Sequence, residues 1–337
     1  MSQAWTLWVS TLTAGIAAAV VISLIVSRRW QFALDQPNER SLHQTPTPRT
    51  GGIGIAAGVL AAALAIQLQT GQWLWLETTL AALLAAVSLI DDKRGLPVAV
   101  RLAAHLGITS AYSAIALYAP TSAASVGSAA FAIIVLYAVL IAAAANFYNF
   151  MDGANGLAGG MGCIGFCAYA WCAWPANPGV AGLSLAVAGA AAGFLLFNLT
   201  GRIFMGDSGS VPLGFLAAAL GLSGIVSGLW PGWFPLLVFA PFLVDASVTL
   251  ARRILRGEKF WQAHRQHYYQ RVILMGASHL QLACGESALM LLCAAAAIYA
   301  QTLGASGQAA VFATIGALFL ILMLVIDACW KRFGPRP

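Results

Sequence analysis

Eleven stretches of mostly apolar residues, each about as long as the 20 or so that a helix needs to cross a bilayer, constrain this chain more than any other feature. They run over 4–27, 51–69, 74–90, 102–119, 129–147, 157–176, 181–198, 211–230, 234–251, 280–302 and 309–329. The predicted fold is therefore all-α, a polytopic membrane protein of about 11 transmembrane helices forming a single domain over 1–337. Only 8% of the 337 residues are charged and 60% are hydrophobic, where a soluble domain carries about a quarter charged residues. Disorder is excluded by the same figures. The first span lacks a basic leader and is followed by Arg28-Arg29, as a stop-transfer cluster would be, so it reads as a true span.

The net charge of +6 does not indicate a nucleic-acid partner, because the 17 cations are grouped between the apolar stretches. All 17 fall in the segments 28–50, 91–101, 148–156, 199–210, 252–279 and 330–337, and the alternate loops hold none. The positive-inside rule places the N-terminus outside and the C-terminus in the cytoplasm. The six cysteines form no C-x-x-C pair and read as small apolar side chains.

The chemistry-bearing residues lie in the basic loops. The first, DQPNERSLHQTPTPRTGG from Asp35 to Gly52, offers Asn38, Arg40, His43 and Arg49 as anion-competent groups. Asp91-Asp92 end the third span, where two adjacent carboxylates at a low-dielectric boundary need a cation or metal beside them. In NFYNFMDGANGLAGG, Asn146, Asn149, Asp152 and Asn155 recur every three residues. A helical start would put those oxygens on one face, as ligands of a hard cation or contacts to a nucleotide. TGRIFMGDSGS sets Asp207 between Gly206 and Gly209, predicting a carboxylate on flexible, exposed backbone, with Ser208 and Ser210 as caps of the next span. The segment from Arg252 to Arg271 carries His264, Arg265, His267 and Arg271, which suit phosphate better than zinc. Solvated charged loops are the plain alternative for the first and last of these segments, and an ordinary charged helix end for Asp91-Asp92.

These strings together resemble the polyprenyl-phosphate N-acetylhexosamine-1-phosphate transferases, glycosyltransferase family 4, relatives of the phospho-N-acetylmuramoyl-pentapeptide translocase. PNERSLHQTPTPRTGG, DDKRGLP, NFYNFMDGANGLA, RIFMGDSGS and AHRQHYYQR occur in order on one membrane face. The HR-x-H-x-Y-Q-R form is similar to the O-antigen branch. The resemblance implies a bacterial inner-membrane enzyme, active on the cytoplasmic side. It would transfer an N-acetylhexosamine-1-phosphate from a UDP-sugar to undecaprenyl phosphate, with Mg²⁺ (Mn²⁺ a substitute) as cofactor and UMP as product.

Residue by residue, the resemblance implies that Asp207 and Asn149 bind the metal and that Phe204 stacks on uracil. Asp91 and Asp92 would orient or deprotonate the lipid phosphate. Asp152 matches a family acid, and His264, Arg265 and His267 match the loop that holds the sugar phosphate. Arg202 and Arg271 complete the substrate-binding set. Asn155 stands where the peptidoglycan enzyme has an aspartate.

Direct attack by the lipid phosphate is the favoured route, and a covalent aspartyl intermediate is the alternative. Asp245 is expected to pair with the arginine cluster that begins at Arg252. A transporter or flippase is the rival reading, and it calls for polar sites near the bilayer midplane rather than at one surface. Gly159, Gly162, Ala168 and Gly193 would permit close helix contacts, a homodimer among them.

Overall fold

The computed structural model describes residues 3–27, 34–35, 46–70, 75–118, 128–259, 262 and 264–334. The helices are α1 (Gln3–Ser27), α2 (Gly51–Thr70), α3 (Trp75–Arg94), α4 (Val98–Tyr118), α5 (Ser128–Phe150), α6 (Leu157–Ala173), α7 (Pro178–Asn198), α8 (Asp207–Val226), α9 (Trp233–Val238), α10 (Ala240–Leu255), α11 (Tyr268–Leu274), α12 (His279–Ala300) and α13 (Ala305–Phe333). A two-stranded antiparallel ribbon pairs β1 (Leu34–Asp35) with β2 (Thr47–Pro48). The chain is an all-α polytopic membrane protein. By length and composition, α1, α2, α4, α5, α7, α8, α12 and α13 are able to cross a bilayer. The other three expected spans fall on α3, on the shorter α6, and on α9 with α10.

α7 and α8 form the buried centre, and α13 is the most exposed of the eight. Small residues let the backbones approach. A Cβ on Gly189 would strike the Thr11 carbonyl and one on Gly193 the Gly15 carbonyl, which locks α1 against α7. On α6, Gly159 faces Phe194 and Leu195, and Gly162 faces Ala191. Gly159, Gly162 and Gly193, expected to permit close helix contacts, are thus used for packing inside the chain.

Two expectations of span geometry are corrected. The segment 234–251 is not one helix: Phe239 leaves helical geometry between α9 and α10, because Pro241 has no N–H and its ring crowds the carbonyl of Leu237. The eighth helix begins at Asp207 rather than at 211, so the carboxylate opens a helix instead of riding on a flexible loop. Gly95 (φ 63°) and Pro97 give the tight α3–α4 turn, which brings the last turn of α3 beside the first of α4.

Candidate active site

A backbone zipper builds the site. The Phe204 N–H donates to the Pro48 carbonyl (2.8 Å), the Gly51 N–H to Phe204 (2.9 Å) and the Gly52 N–H to Met205 (2.8 Å). The PRTGG and RIFMG strings therefore lie side by side, and Gly52 meets the backbone of Gly209 so closely that no side chain fits. This register fixes Arg49 against the start of α8. Its Nη2 lies 2.8 Å from Asp92 Oδ1 and 3.5 Å from Asp207 Oδ1. Across the α3–α4 turn, Arg101 Nη1 lies 2.8 Å from Asp91 Oδ2 and 3.9 Å from Asp207 Oδ2. The Leu96 N–H donates to the other Asp91 oxygen at 2.7 Å.

Four aspartates and two arginines thus share one electrostatic cluster, with Asp152 entering from the turn after α5. Asp91 and Asp92 stand beyond the apolar stretch of α3. Burial pushes the Asp92 carboxyl up to about 7, Arg49 opposes the shift, and Asp207 and Asp91 add to it. Burial also raises Asp152 well above the usual carboxylate range, followed by repulsion from Asp207, with Arg49 opposing and Asp92 adding. Asp152 lies deep among protein atoms, although part of its surface still meets solvent. Burial works against the Arg49 charge, but Asp92 and Asp207 outweigh it and hold the guanidinium more firmly protonated. Asp92 Oδ2 is buried and makes no well-formed hydrogen bond; the Ser208 N–H lies near enough to favour its charge but not to satisfy it. His105 on α4, one turn past Arg101, is likewise buried with Nε2 unpartnered among the described residues.

The strip of four expected between Asn146 and Asn155 is broken. Asn146 and Asn149 are on α5, but Asp152 and Asn155 lie in the turn 151–156. Asn146 Nδ2 is spent on the Ala142 carbonyl (2.7 Å), whereas Asn149 Oδ1 accepts from the Ser210 hydroxyl (2.6 Å). Ser210 therefore orients Asn149. The cap of α8 is Gly206, with no side-chain cap bond, so neither Ser208 nor Ser210 takes the expected role. The Asn155 N–H donates to His279 Nδ1 (3.2 Å). Asn198, missed in the sequence, ties two loops together: its Oδ1 accepts from Gly156 (2.7 Å) and its Nδ2 donates to Ile203 (2.9 Å).

The histidine segment forms a second unit. Asp245 accepts from the Tyr268 N–H (3.0 Å), the Tyr269 N–H (3.0 Å) and Thr249 Oγ1 (3.0 Å), and lies 3.2 Å from His267 Nδ1. The expected pairing of Asp245 with the arginine cluster is therefore incorrect, because two N–H groups and an imidazole already surround that carboxylate. Arg252 pairs instead with Asp327 of α13 (2.9 Å), as does Arg271 (2.8 Å). His267 caps α11 and stacks on His264 with centroids 4.9 Å apart. The Tyr269 hydroxyl donates to the Phe150 carbonyl (3.0 Å) and fills the space over Gly153, which supports the Asp152 turn. Arg202 and Arg265 are exposed, Phe204 is half-buried, and Asn38, Arg40 and His43 lie outside the described residues.

Among the described residues, no three Asp, Glu, His or Cys side chains converge tightly enough to cage an ion alone. A hard cation such as Mg²⁺ is held through one or two carboxylates and completed by water and substrate phosphates. The all-oxygen donor set and the orphaned Asp92 oxygen are compatible with such an ion.

The glycosyl transferase family 4 model matches residues 73–225. Over 322 residues, covering 89% of this chain and 84% of the other, the sequence is 30% identical to the undecaprenyl-phosphate alpha-N-acetylglucosaminyl 1-phosphate transferase of Yersinia pestis. It is 30% identical over 284 residues (73% and 71%) to the decaprenyl-phosphate N-acetylglucosaminephosphotransferase of Mycobacterium leprae. With a probable undecaprenyl-phosphate N-acetylglucosaminyl 1-phosphate transferase of Bacillus subtilis it shares 28% identity over 257 residues (73% and 71%). The chain belongs to the glycosyl transferase family 4 and, within it, to the polyprenyl-phosphate N-acetylhexosamine-1-phosphate transferases.

Proposed function

We propose that the chain transfers an N-acetylhexosamine-1-phosphate from a UDP-sugar to undecaprenyl phosphate, releasing UMP. The observation that carries this reading is the convergence of Asp91, Asp92, Asp152 and Asp207 with Arg49 and Arg101. If all are ionised, the cluster has two negative charges in excess (four carboxylates less two guanidiniums), and a divalent cation supplies the balance. Asp207 and Asn149 would hold Mg²⁺, or Mn²⁺ in its place, with Asp92 beside them. When bound, the ion neutralises the donor diphosphate and the charge that develops on departing UMP.

The protein's own groups take the remaining tasks. A phosphate monoester has a second pKa near 6, so the acceptor is largely dianionic at neutral pH and needs little base assistance. The barrier is the approach of two anions. Arg49 and Arg101 screen it, each anchored by one carboxylate and offering further N–H groups to phosphate oxygens. Both oxygens of Asp91 are taken by Arg101 and the Leu96 N–H, so Asp91 positions Arg101. Asp92 retains a free oxygen that can receive a residual proton from the acceptor. Transfer proceeds by direct attack of the lipid phosphate on the sugar-linked phosphorus.

The acceptor tail has a place. An apolar cavity of about 310 Å³ lies between α5, α8, α9 and α10, lined by Leu140, Ala144, Phe147, Ile225, Pro235 and Phe239. On α8 the lining begins at Ala217, ten residues beyond Asp207, so the cavity lies along the apolar part of the helices. The partition of the cations supports a cytoplasmic orientation for this end, in a bacterial inner membrane. The relatives' names make N-acetylglucosamine the first sugar to test, offered as its UDP derivative, and O-antigen or a related surface polysaccharide is the pathway proposed.

The test incubates detergent-purified protein with undecaprenyl phosphate and UDP-linked GlcNAc, GalNAc, QuiNAc and FucNAc, with and without Mg²⁺. The reading expects UMP from one donor only when lipid and Mg²⁺ are both present. No UMP from any donor, together with no UDP-sugar binding, would overturn it.

A further inference from the structure

A basic groove on the far side of α11 holds Arg265 and Arg271, which the resemblance gave to substrate binding, together with cations that no step above uses. Two consecutive tyrosines leave α11 in different directions. Tyr269 supports the Asp152 turn, whereas the Tyr268 hydroxyl points to Asp327 of α13 (3.4 Å). Between Tyr268, the ends of α10 and α13 and the loop at 264–266 lies an open cavity of about 460 Å³. Arg252, Arg256, Arg265, Arg271 and Lys331 line it, and Asp327 is the one carboxylate among them.

The floor of this groove is rigidly built. Asp327 grips Arg252 at 2.9 Å and Arg271 at 2.8 Å. The Tyr268 ring lies 5.2 Å and 4.9 Å from the two guanidinium carbons, and Trp330 lies 5.1 Å from that of Arg271. The Arg271 side chain is 12% exposed, and its Nε is buried with no hydrogen-bond partner among the described residues. Two guanidiniums are therefore fixed in place, one with an unspent donor, and Arg256, Arg265 and Lys331 supply charge at the rim. Fork-shaped donors with an excess of positive charge select a phosphate. Position selects its source. Apart from Asp327, α13 is apolar from Ile315 to Cys329, and Trp330, Lys331 and Arg332 then follow one another as side chains do at a bilayer–water boundary. A phosphate that arrives there is one tethered to acyl chains.

We propose that this groove binds the phosphate of an anionic bilayer lipid headgroup, at a site separate from the carboxylate cluster. The lipid holds Tyr268 and α11 in place, and through Tyr269 it steadies the turn that carries Asp152. The proposal does not depend on the transferase reading, since lipid retention is measured without turnover.

The test uses the full-length protein in detergent, exposed to equimolar dioleoyl phosphatidylglycerol and phosphatidylcholine, with retained lipid read by native mass spectrometry. Wild type should keep one phosphatidylglycerol in preference to phosphatidylcholine. The groove variant Arg256→Gln/Lys331→Gln, altered at exposed positions, should bind it about twenty-five-fold more weakly, at about fivefold per basic residue. The control Lys93→Gln/Arg94→Gln removes two exposed cations at the end of α3, outside the groove, and should stay within about twofold of wild type. Equal losses in both variants would reduce the effect to general surface charge and overturn the proposal, as would no preference for phosphatidylglycerol. A parallel arm measures orthophosphate. If the groove variant loses orthophosphate binding while wild type keeps no phosphatidylglycerol, the ligand is a soluble phosphate and the lipid source is refuted.

Discussion

Asp92→Asn is predicted to stabilise the protein at neutral to alkaline pH while abolishing turnover. The Asp92 side chain is 2% exposed and its carboxyl is pushed up to about 7 by burial, against about 3.9 in an unfolded chain. The folded state therefore binds the proton more tightly, and stability falls as pH rises from about 4 to about 7. The shift of about three units corresponds to about 4 kcal/mol at pH 8. An asparagine mimics the protonated form and removes that penalty while keeping the shape. Thermal unfolding is to be followed in EDTA at pH 5.5 and pH 8, so that no divalent ion offsets the charge. Wild type should lose more stability than Asp92→Asn between the two pH values, and the variant should melt several degrees higher at pH 8. A variant that melts lower than wild type at pH 8, or equal pH slopes for the two proteins, would refute the reasoning. The clustering of carboxylates would then carry no energetic strain for a cation to relieve.

Three further outcomes follow from the same geometry. Gly52→Ala places a methyl against the Gly209 backbone, an overpacking of about 1–3 kcal/mol, so UMP release should fall more than tenfold while the protein remains folded by circular dichroism. Ser210→Ala frees Asn149 Oδ1 from its 2.6 Å bond; the Mg²⁺ concentration for half-maximal activity should rise about fivefold, as expected for one lost hydrogen bond of about 1 kcal/mol. Asp245→Asn turns an amide toward one of the donors around that carboxylate and should lower stability by about 2 kcal/mol, read as a lower melting temperature with faster proteolysis at α11.

Spans and loops were legible in the sequence because hydropathy and charge are local properties. The apolar stretches placed the helices to within a few residues except at 211–230 and 234–251, and the five motif loops held most of the residues that the structure brings together. Tertiary partners were not legible. Arg101 read as one more loop cation, yet Gly95 and Pro97 fold it back onto Asp91, ten residues earlier. Asp245 was assigned to arginines seven residues away, and apart from Thr249 its partners lie more than 20 residues on. The break at Phe239 was hidden because both sides of it are equally apolar; Pro241 was the signal available. Asn198 sits inside a run that reads as ordinary span, and an amide at a helix end is the one hint that it clamps two loops. Asp207 looked mobile between two glycines, but those glycines serve close backbone contact with Arg49 and Gly52.

The central claim is that phosphoglycosyl transfer to a polyprenyl phosphate takes place at the Asp207 cluster. The most direct measurement is mass spectrometry of the lipid extract after wild type and Asp207→Asn are each incubated with undecaprenyl phosphate, UDP-N-acetylglucosamine and Mg²⁺. Wild type should form undecaprenyl diphosphate N-acetylglucosamine in step with UMP, and the variant should form less by at least a thousandfold. An Asp207→Asn protein that makes the lipid product at the wild-type rate would contradict the account.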